Sequence, residues 1–175
     1  GGGTRNIFAT KPVRNLAEMK GLKVRVQGAP IWSRTFAAVG MSPTVIAYNE
    51  VYNAIQNGVI AAGENEAAGV EQMKFFEVGP NLNLTQHAIT IRPLCFSGKT
   101  FAKLPPDLQA AIVKAGKEAG AYGRQIESSE DSAKLESLEK AGKLKRIPFT
   151  DRAKMQAMVD PVMAAYAKEI GAEAI

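Results

Sequence analysis

The sequence of 175 residues contains a single cysteine and a single histidine, and both scarcities exclude classes of site. A lone Cys95 can form no disulfide within the chain and no cysteine cage for zinc. A catalytic cysteine–histidine pair would require Cys95 to meet His87, but along one strand-like segment the two lie roughly 25 Å apart. We therefore expect Cys95 to be a small buried hydrophobic residue and His87 to be structural, with no metal, cofactor or catalytic site.

Long apolar runs are also missing. No run reaches the roughly 18 to 20 residues that a membrane helix needs, so we expect no direct membrane insertion. No signal peptide is visible, but the chain begins Gly-Gly-Gly without an initiator methionine, and we interpret it as a fragment of a longer protein.

The net charge of +5 raises the question of nucleic-acid binding. The basic residues are spread along the chain and mixed with acids, as in "KLESLEKAGKLKR", and no nucleic-acid-binding motif is present. We therefore expect no nucleic-acid partner. The excess positive charge favours an anionic small ligand instead.

The first half of the chain alternates short strands with helices. The strand patterns are "LKVRV", "SPTVIAY" and "VIAAGENE", and the helix patterns are "LAEMK", "PIWSRTFAAV", "EVYNAIQNG" and "AAGVEQMKFF". This alternation predicts an α/β fold with a mostly parallel sheet covered on both faces.

The second half has a different pattern. It predicts a long strand-like run over "LNLTQHAITIRPLCFSG" and one long helix from Pro105 to about Gly142. A short strand, "LKRIPF", then precedes a final helix that Thr150 caps and that extends to about Tyr166, kinked or interrupted at Pro161.

Polar side chains stand where three of the predicted strands end: Arg25, Tyr48 and Asn65. Ligand sites in open α/β sheets lie beyond the carboxyl ends of the strands. A buried guanidinium is costly without a partner, so Arg25 must face either a protein acid, such as Glu64 or Glu66, or an anion from solution. A carboxylate suits it, because arginine can bind both carboxylate oxygens at once.

The combination of "KGLKVRV", "SPTVIAYNEVYNAIQNG" and "ENE" resembles the substrate-binding proteins of tripartite ATP-independent periplasmic (TRAP) transporters, the dicarboxylate-receptor family. The similarity extends to "LPPDLQAAIVKAGKEAG" and so covers essentially the whole chain. It implies a periplasmic-binding-protein-like fold of two lobes that close on an organic acid, of which this fragment lacks much of lobe one. Residues 1–90 would form ligand-binding lobe two, and residues 91–175 the crossing strand and the long helices that return to lobe one.

The resemblance also implies roles for individual residues. Arg25 corresponds to the family arginine that forms the principal salt bridge to a ligand carboxylate, and Arg5 to a second arginine twenty positions earlier. Tyr48 corresponds to an aromatic residue that packs over the ligand, and Asn65 to the asparagine of the family's "Q-E-N-P" turn. The sequence departs from that turn at Gly63 and Glu66, and Glu66 adds a negative charge close to the expected anion.

Three further residues are candidates for the ligand site. Gln27 and Gly28 could bring the backbone close to the ligand, and Trp32 could line the cleft after the "QGAP" turn. Structural alternatives stay open for several positions. Arg5 could be a disordered terminal residue, Tyr48 a core aromatic, Asn65 a cap of the following helix and Trp32 a packing residue.

These patterns predict a periplasmic receptor that captures an organic acid and delivers it to TRAP membrane permease subunits, without catalysis. One alternative is an α/β enzyme that holds a carboxylate substrate with Arg25 and uses Glu64 or Glu66 with His87 as an acid/base pair. Another is a sensory domain that binds a carboxylate on the same fold.

Overall fold

The computed structural model describes residues 2–172 and forms one six-stranded sheet with helices on both sides. Its elements, in chain order, are β1 (Gly2–Ala9), α1 (Leu16–Met19), β2 (Lys23–Val26), α2 (Pro30–Ala38), β3 (Ser42–Val45), a 3-10 turn (Tyr48–Glu50), α3 (Val51–Gln56), β4 (Ala62–Asn65), α4 (Ala67–Gln72), α5 (Phe75–Val78), β5 (Asn81–Thr90), α6 (Gly98–Phe101), α7 (Pro106–Lys140), β6 (Lys145–Pro148) and α8 (Arg152–Glu169). The strand–helix alternation predicted for the first half is confirmed. The single helix predicted over "AAGVEQMKFF" is wrong, since Lys74 adopts a left-handed φ of 52° and separates α4 from α5.

The sheet is mostly parallel, as predicted, and its strand order is β3-β2-β4-β1-β5-β6. The strand β2 pairs in parallel with β3 and β4, and β5 pairs in parallel with β6. The strand β1, however, runs antiparallel to both β4 and β5. The pattern of residues 2–9 does not indicate a strand, because apolar residues occur only at its end, after two glycines and Arg5. The α/β class itself is confirmed.

The second half follows its predicted order. The long helix α7, the strand β6 and the final helix α8 are confirmed. The expected interruption at Pro161 is wrong, since α8 continues through it, and the N-cap of α8 is Asp151 rather than Thr150. Because β6 pairs with β5, residues beyond position 90 add a strand to the same sheet. The division into residues 1–90 and 91–175 stays a prediction. Within residues 2–172, none of the helices combines the length and apolar character that crossing a bilayer requires.

The segment that follows β5 corrects two expectations. The predicted long strand stops at Thr90, and residues 91–97 have no regular structure. Cys95 lies in this segment and is exposed rather than buried. Pro93 offers no backbone N–H to a neighbouring strand, and Pro is found mainly where strands end or at sheet edges.

The core consists of two apolar clusters, one on each face of the sheet. The first contains Val24 and Val26 of β2 with side chains from α1, α2 and α8. The second contains side chains from α3, α4, α5 and the end of α7. Because side chains alternate along a strand, Arg25 lies on the face opposite to its two valine neighbours, the face covered by α3, α4 and α5.

Candidate functional site

Arg25 is buried without an acidic partner among the described residues. Its side chain lies on β2, the residue is 6% exposed, and its Nε donates a hydrogen bond to the backbone carbonyl of Ile46 at 2.8 Å. Its guanidinium carbon lies 5.6 Å from the centre of the Tyr48 ring. No carboxylate among residues 2–172 forms a salt bridge with it. Burial lowers the pKa of Arg25 below its usual value, Glu64 opposes this effect, and the positive charge of Arg5 adds to it.

The acids that could have paired with Arg25 pair with Arg5 instead. The Arg5 Nε lies 2.6 Å from Glu64 Oε2, its Nη2 lies 2.9 Å from Glu64 Oε1, and its Nη1 lies 2.8 Å from Glu66 Oε2. Nη1 also donates to the Thr90 hydroxyl, and Nη2 also donates to the Glu64 backbone carbonyl. The five N–H donors of a guanidinium are thus all in use. The alternative that Glu64 or Glu66 pairs with Arg25 is therefore wrong.

Glu64 joins this ion pair to the histidine. Its side chain is fully buried, and its Oε2 lies 3.2 Å from His87 Nε2, while His87 Nδ1 lies 2.8 Å from the Thr85 hydroxyl. Burial alone would raise the pKa of Glu64, but hydrogen bonds from His87 and Arg5 lower it from its usual 4.5 to about 2. His87 reaches Glu64 because β5 bulges opposite β1, where Gln86 adopts a positive φ of 47°.

Glu66 stands at the position where the family that the sequence resembles commonly has proline. Its carboxylate accepts hydrogen bonds from Arg5 and Thr90 and forms a salt bridge with Arg92, which also bonds Glu127 of α7 at 2.6 Å. The additional negative charge expected beside the anion is therefore balanced inside the protein. Arg92 was missed by the sequence reasoning, since no local pattern links it to a residue 26 positions earlier.

Tyr48 and Asn65 lie together beside Arg25. The Asn65 Nδ2 donates to the Tyr48 hydroxyl at 2.8 Å, and the Asn65 Oδ1 accepts from the Glu66 backbone N–H at 3.0 Å. The Tyr48 ring packs edge-on against Phe75 yet is 42% exposed, so it borders open space rather than filling the core. Burial of the hydroxyl raises the pKa of Tyr48. Since this hydroxyl accepts from Asn65, its own hydrogen can point to a further acceptor.

At two glycines near this pair, a side chain would clash with a neighbouring residue. A Cβ on Gly69 of α4 would lie 2.3 Å from Asn65 Nδ2, and one on Gly63 would lie 2.5 Å from the Phe8 ring. The absence of a side chain at Gly69 is what allows the Asn65 amide to lie against α4 and reach Tyr48.

The other predicted contacts occupy different positions. Gln27 follows β2 two residues after Arg25, and its Oε1 is buried without a hydrogen-bond partner among residues 2–172. Gly28 is exposed, and its predicted close approach to a ligand stays a prediction. Trp32 lies on the other side of the sheet, stacked on Phe36 and with its ring centre 5.6 Å from the Arg5 guanidinium carbon.

A cavity of about 460 Å³ lies between α2, α8 and the bulged part of β5. Trp32 and His87 form part of its wall, together with apolar residues such as Met155. Arg25 and the Tyr48–Asn65 pair do not line it. The cavity is therefore separate from the unpaired cation and shares a wall only with the Arg5 ion-pair network.

The enzyme alternative can be compared with the side chains of the described residues. No group of three or more metal-ligating side chains occurs among them. The acid/base pair that the enzyme alternative requires is brought together, since Glu64 and His87 are in contact. A carboxylate with a pKa of about 2, buried and bonded by Arg5, is nevertheless a poor general base near neutral pH.

Comparison with known proteins gives one consistent family. The family model described as bacterial extracellular solute-binding protein, family 7 (DctP) matches residues 1–169. A solute-binding protein of Sulfitobacter sp. (strain NAS-14.1) is 57% identical over 172 residues, which are 98% of this chain and 52% of the relative.

Solved structures agree with this match. The crystal structure of a TRAP periplasmic solute-binding protein from Sulfitobacter sp. NAS-14.1, with bound α-D-taluronate, matches with a TM-score of 0.96 and 57% identity over 99% of this chain and 56% of that chain. Another, from Pseudomonas putida F1 with bound D-glucuronate, matches with a TM-score of 0.89 and 30% identity over 97% of this chain and 55% of that chain. The chain thus spans about half the length of the relatives that it matches.

Proposed function

Because the chain belongs to family 7 of the bacterial extracellular solute-binding proteins, the DctP family, we propose that its full-length protein captures an acid sugar and delivers it to a TRAP-type membrane permease. The proposed ligand class follows the uronates bound to two similar proteins. The family's description as extracellular supports a periplasmic location. The family is one of binding proteins, which fits a role without catalysis.

The observation that carries this proposal is the unpaired guanidinium of Arg25. The neighbouring cation Arg5 is compensated by two carboxylates, whereas Arg25 is similarly buried and bonds only a carbonyl oxygen among the described residues. A buried cation without an acid is stabilised by an anion that enters from solution. A ligand carboxylate supplies that anion and can accept two parallel hydrogen bonds from the Nη atoms.

The neighbours of Arg25 suit a sugar acid. In the proposed complex the Tyr48 ring covers one side of the ligand, and its hydroxyl hydrogen donates to a carboxylate or ring oxygen. The second N–H of the Asn65 amide orients the ligand from the same side. The predicted contact of Arg5 with the ligand stays a prediction, and it requires one of the five donors of Arg5 to leave its present acceptor.

The ligand's negative charge is the first thing to test. We expect the full-length protein to bind D-glucuronate at least about 30-fold more tightly than D-glucuronamide, which has the same ring but no charge, because a buried charge pair contributes about 2 kcal/mol or more. Isothermal titration calorimetry measures both affinities, with D-taluronate as a second uronate. Equal affinity for the acid and its amide would contradict recognition through a carboxylate.

A second prediction concerns Gly69. The Gly69→Ala substitution should weaken uronate binding about tenfold or more, because the added methyl group displaces the Asn65 amide from Tyr48. The matched control is Gly120→Ala in α7, where a Cβ meets no atom within 4 Å. Since alanine favours helices over glycine by about 1 kcal/mol, the control should raise thermal stability and leave affinity unchanged. If both variants bind equally well, Asn65 has no role in the site.

A further inference from the structure

The Gln27 side chain has a hydrogen-bond acceptor without a donor in the part of the chain that the structure describes. Its Oε1 is buried, and no donor from residues 2–172 reaches it. Among the described residues it is the only buried side-chain nitrogen or oxygen atom of this kind. Buried polar atoms in folded proteins are nearly always bonded, so an exception calls for a physical reason.

The position of Gln27 relates this acceptor to the proposed ligand site. It comes two residues after Arg25, and alternation along an extended chain places both side chains on the same face of the sheet. That face also carries Tyr48 and Asn65, and β2 ends at Val26, immediately before Gln27. Alternation therefore puts the Gln27 side chain on the face that carries the unpaired guanidinium, one step further toward the carboxyl end of β2.

We propose that Gln27 is a specificity-determining residue whose amide oxygen accepts a hydrogen bond from a hydroxyl group of the ligand. This inference rests on the proposed function and narrows it. It assigns the carboxylate to Arg25 and a neighbouring hydroxyl to Gln27, so that the protein selects hydroxylated acids over acids that carry only carboxylates. A carboxylate oxygen cannot replace the hydroxyl, because an ionised carboxylate has no hydrogen to donate.

The physical basis is the free-energy cost of a buried polar atom that is left without a hydrogen-bond partner. A site built to bond a hydroxyl strongly rejects an analogue that lacks it, because the buried protein atom then remains unsatisfied. Replacing Gln27 by methionine keeps the length of the side chain and removes the acceptor. Since the acceptor has no partner within residues 2–172, Gln27→Met should not lower the thermal stability of the unliganded protein.

The experiment is a cycle of protein and ligand variants, measured by calorimetry on the full-length protein. The ligands are D-glucuronate, D-taluronate and their 2-, 3- and 4-deoxy analogues. The proteins are the wild type, Gln27→Met and the control Gln56→Met, which alters an exposed glutamine at the end of α3. We expect Gln27→Met to bind the parent uronate at least tenfold more weakly, and to bind one of the deoxy analogues as well as the wild type does.

The outcomes separate this inference from the proposed function. If Gln27→Met binds the parent uronate normally, or weakens the parent and every deoxy analogue equally, no hydroxyl is recognised by Gln27 and the inference is wrong while uronate binding stands. If the wild type and Gln56→Met bind no uronate at all, the proposed function fails, and the inference with it.

Discussion

Arg25→Ala in the full-length protein is expected to weaken uronate binding by about 2–5 kcal/mol, the range for breaking a buried charge pair. Arg25 is 6% exposed, and within residues 2–172 its side chain bonds the Ile46 carbonyl and no acid that would compete with the ligand. The loss should appear in the affinity measured by calorimetry and should be similar for D-glucuronate and D-taluronate, because the carboxylate is common to both.

The stability of the unliganded protein distinguishes a ligand-binding arginine from a structural one. Removing Arg25 also removes a buried charge that pairs with no acid of the described chain, so the unfolding free energy should change by less than about 1 kcal/mol. A structural arginine would instead lower stability when it is replaced. Thermal melting without ligand therefore tests the role of Arg25 independently of affinity.

Two further variants complete this test. Arg25→Lys retains the charge but cannot form the two parallel hydrogen bonds, so we expect an intermediate affinity. Arg124→Ala alters an exposed arginine of α7 and should bind like the wild type. Unchanged affinity in Arg25→Ala would contradict the assignment of Arg25 as the carboxylate contact.

The burial of Arg25 could be predicted from the sequence because the residues that indicate a strand are its immediate neighbours in the chain. Valines on both sides place it in a strand, the following "QGAP" ends that strand, and a buried guanidinium must find an anion. The pattern left open whether this anion belongs to the protein or comes from solution. Only the three-dimensional pairing of both nearby acids with Arg5 removes the first possibility.

The Arg5 network could not be predicted because it depends on β1, whose pattern does not indicate a strand. The antiparallel register places Asn6 opposite Asn65 and therefore Arg5 beside Glu66. Opposite charges on neighbouring strands would have suggested the ion pair, had the strand been recognised. The same omission hid the antiparallel direction of β1 in the sheet. His87 joins the network through a bulge in β5, which the run of β-branched residues gives no reason to expect.

Glu64→Gln should be the most destabilising single substitution in the candidate site. Glu64 has a fully buried side chain and forms two hydrogen bonds with the Arg5 guanidinium and one with His87. The substitution keeps the shape of the side chain but leaves Arg5 with Glu66 as its only acid. Breaking a buried pair in this way costs about 3–5 kcal/mol, measured as the unfolding free energy in urea at pH 7. The control Glu118→Gln removes an exposed acid of α7 and should cost less than about 1 kcal/mol.

The pH dependence of this loss identifies its cause. Glu64 has a pKa of about 2 in the folded protein and about 4.5 when unfolded, so its contribution is fully present above pH 4.5 and is lost as the pH falls toward 2. The full contribution is about 3 kcal/mol, and by pH 3 more than half of it is gone. The difference in stability between the wild type and Glu64→Gln should therefore shrink by about 2 kcal/mol between pH 6 and pH 3. A difference that stays constant with pH would show that the variant is destabilised by altered packing, and that the charge of Glu64 does not hold Arg5 and His87 in place.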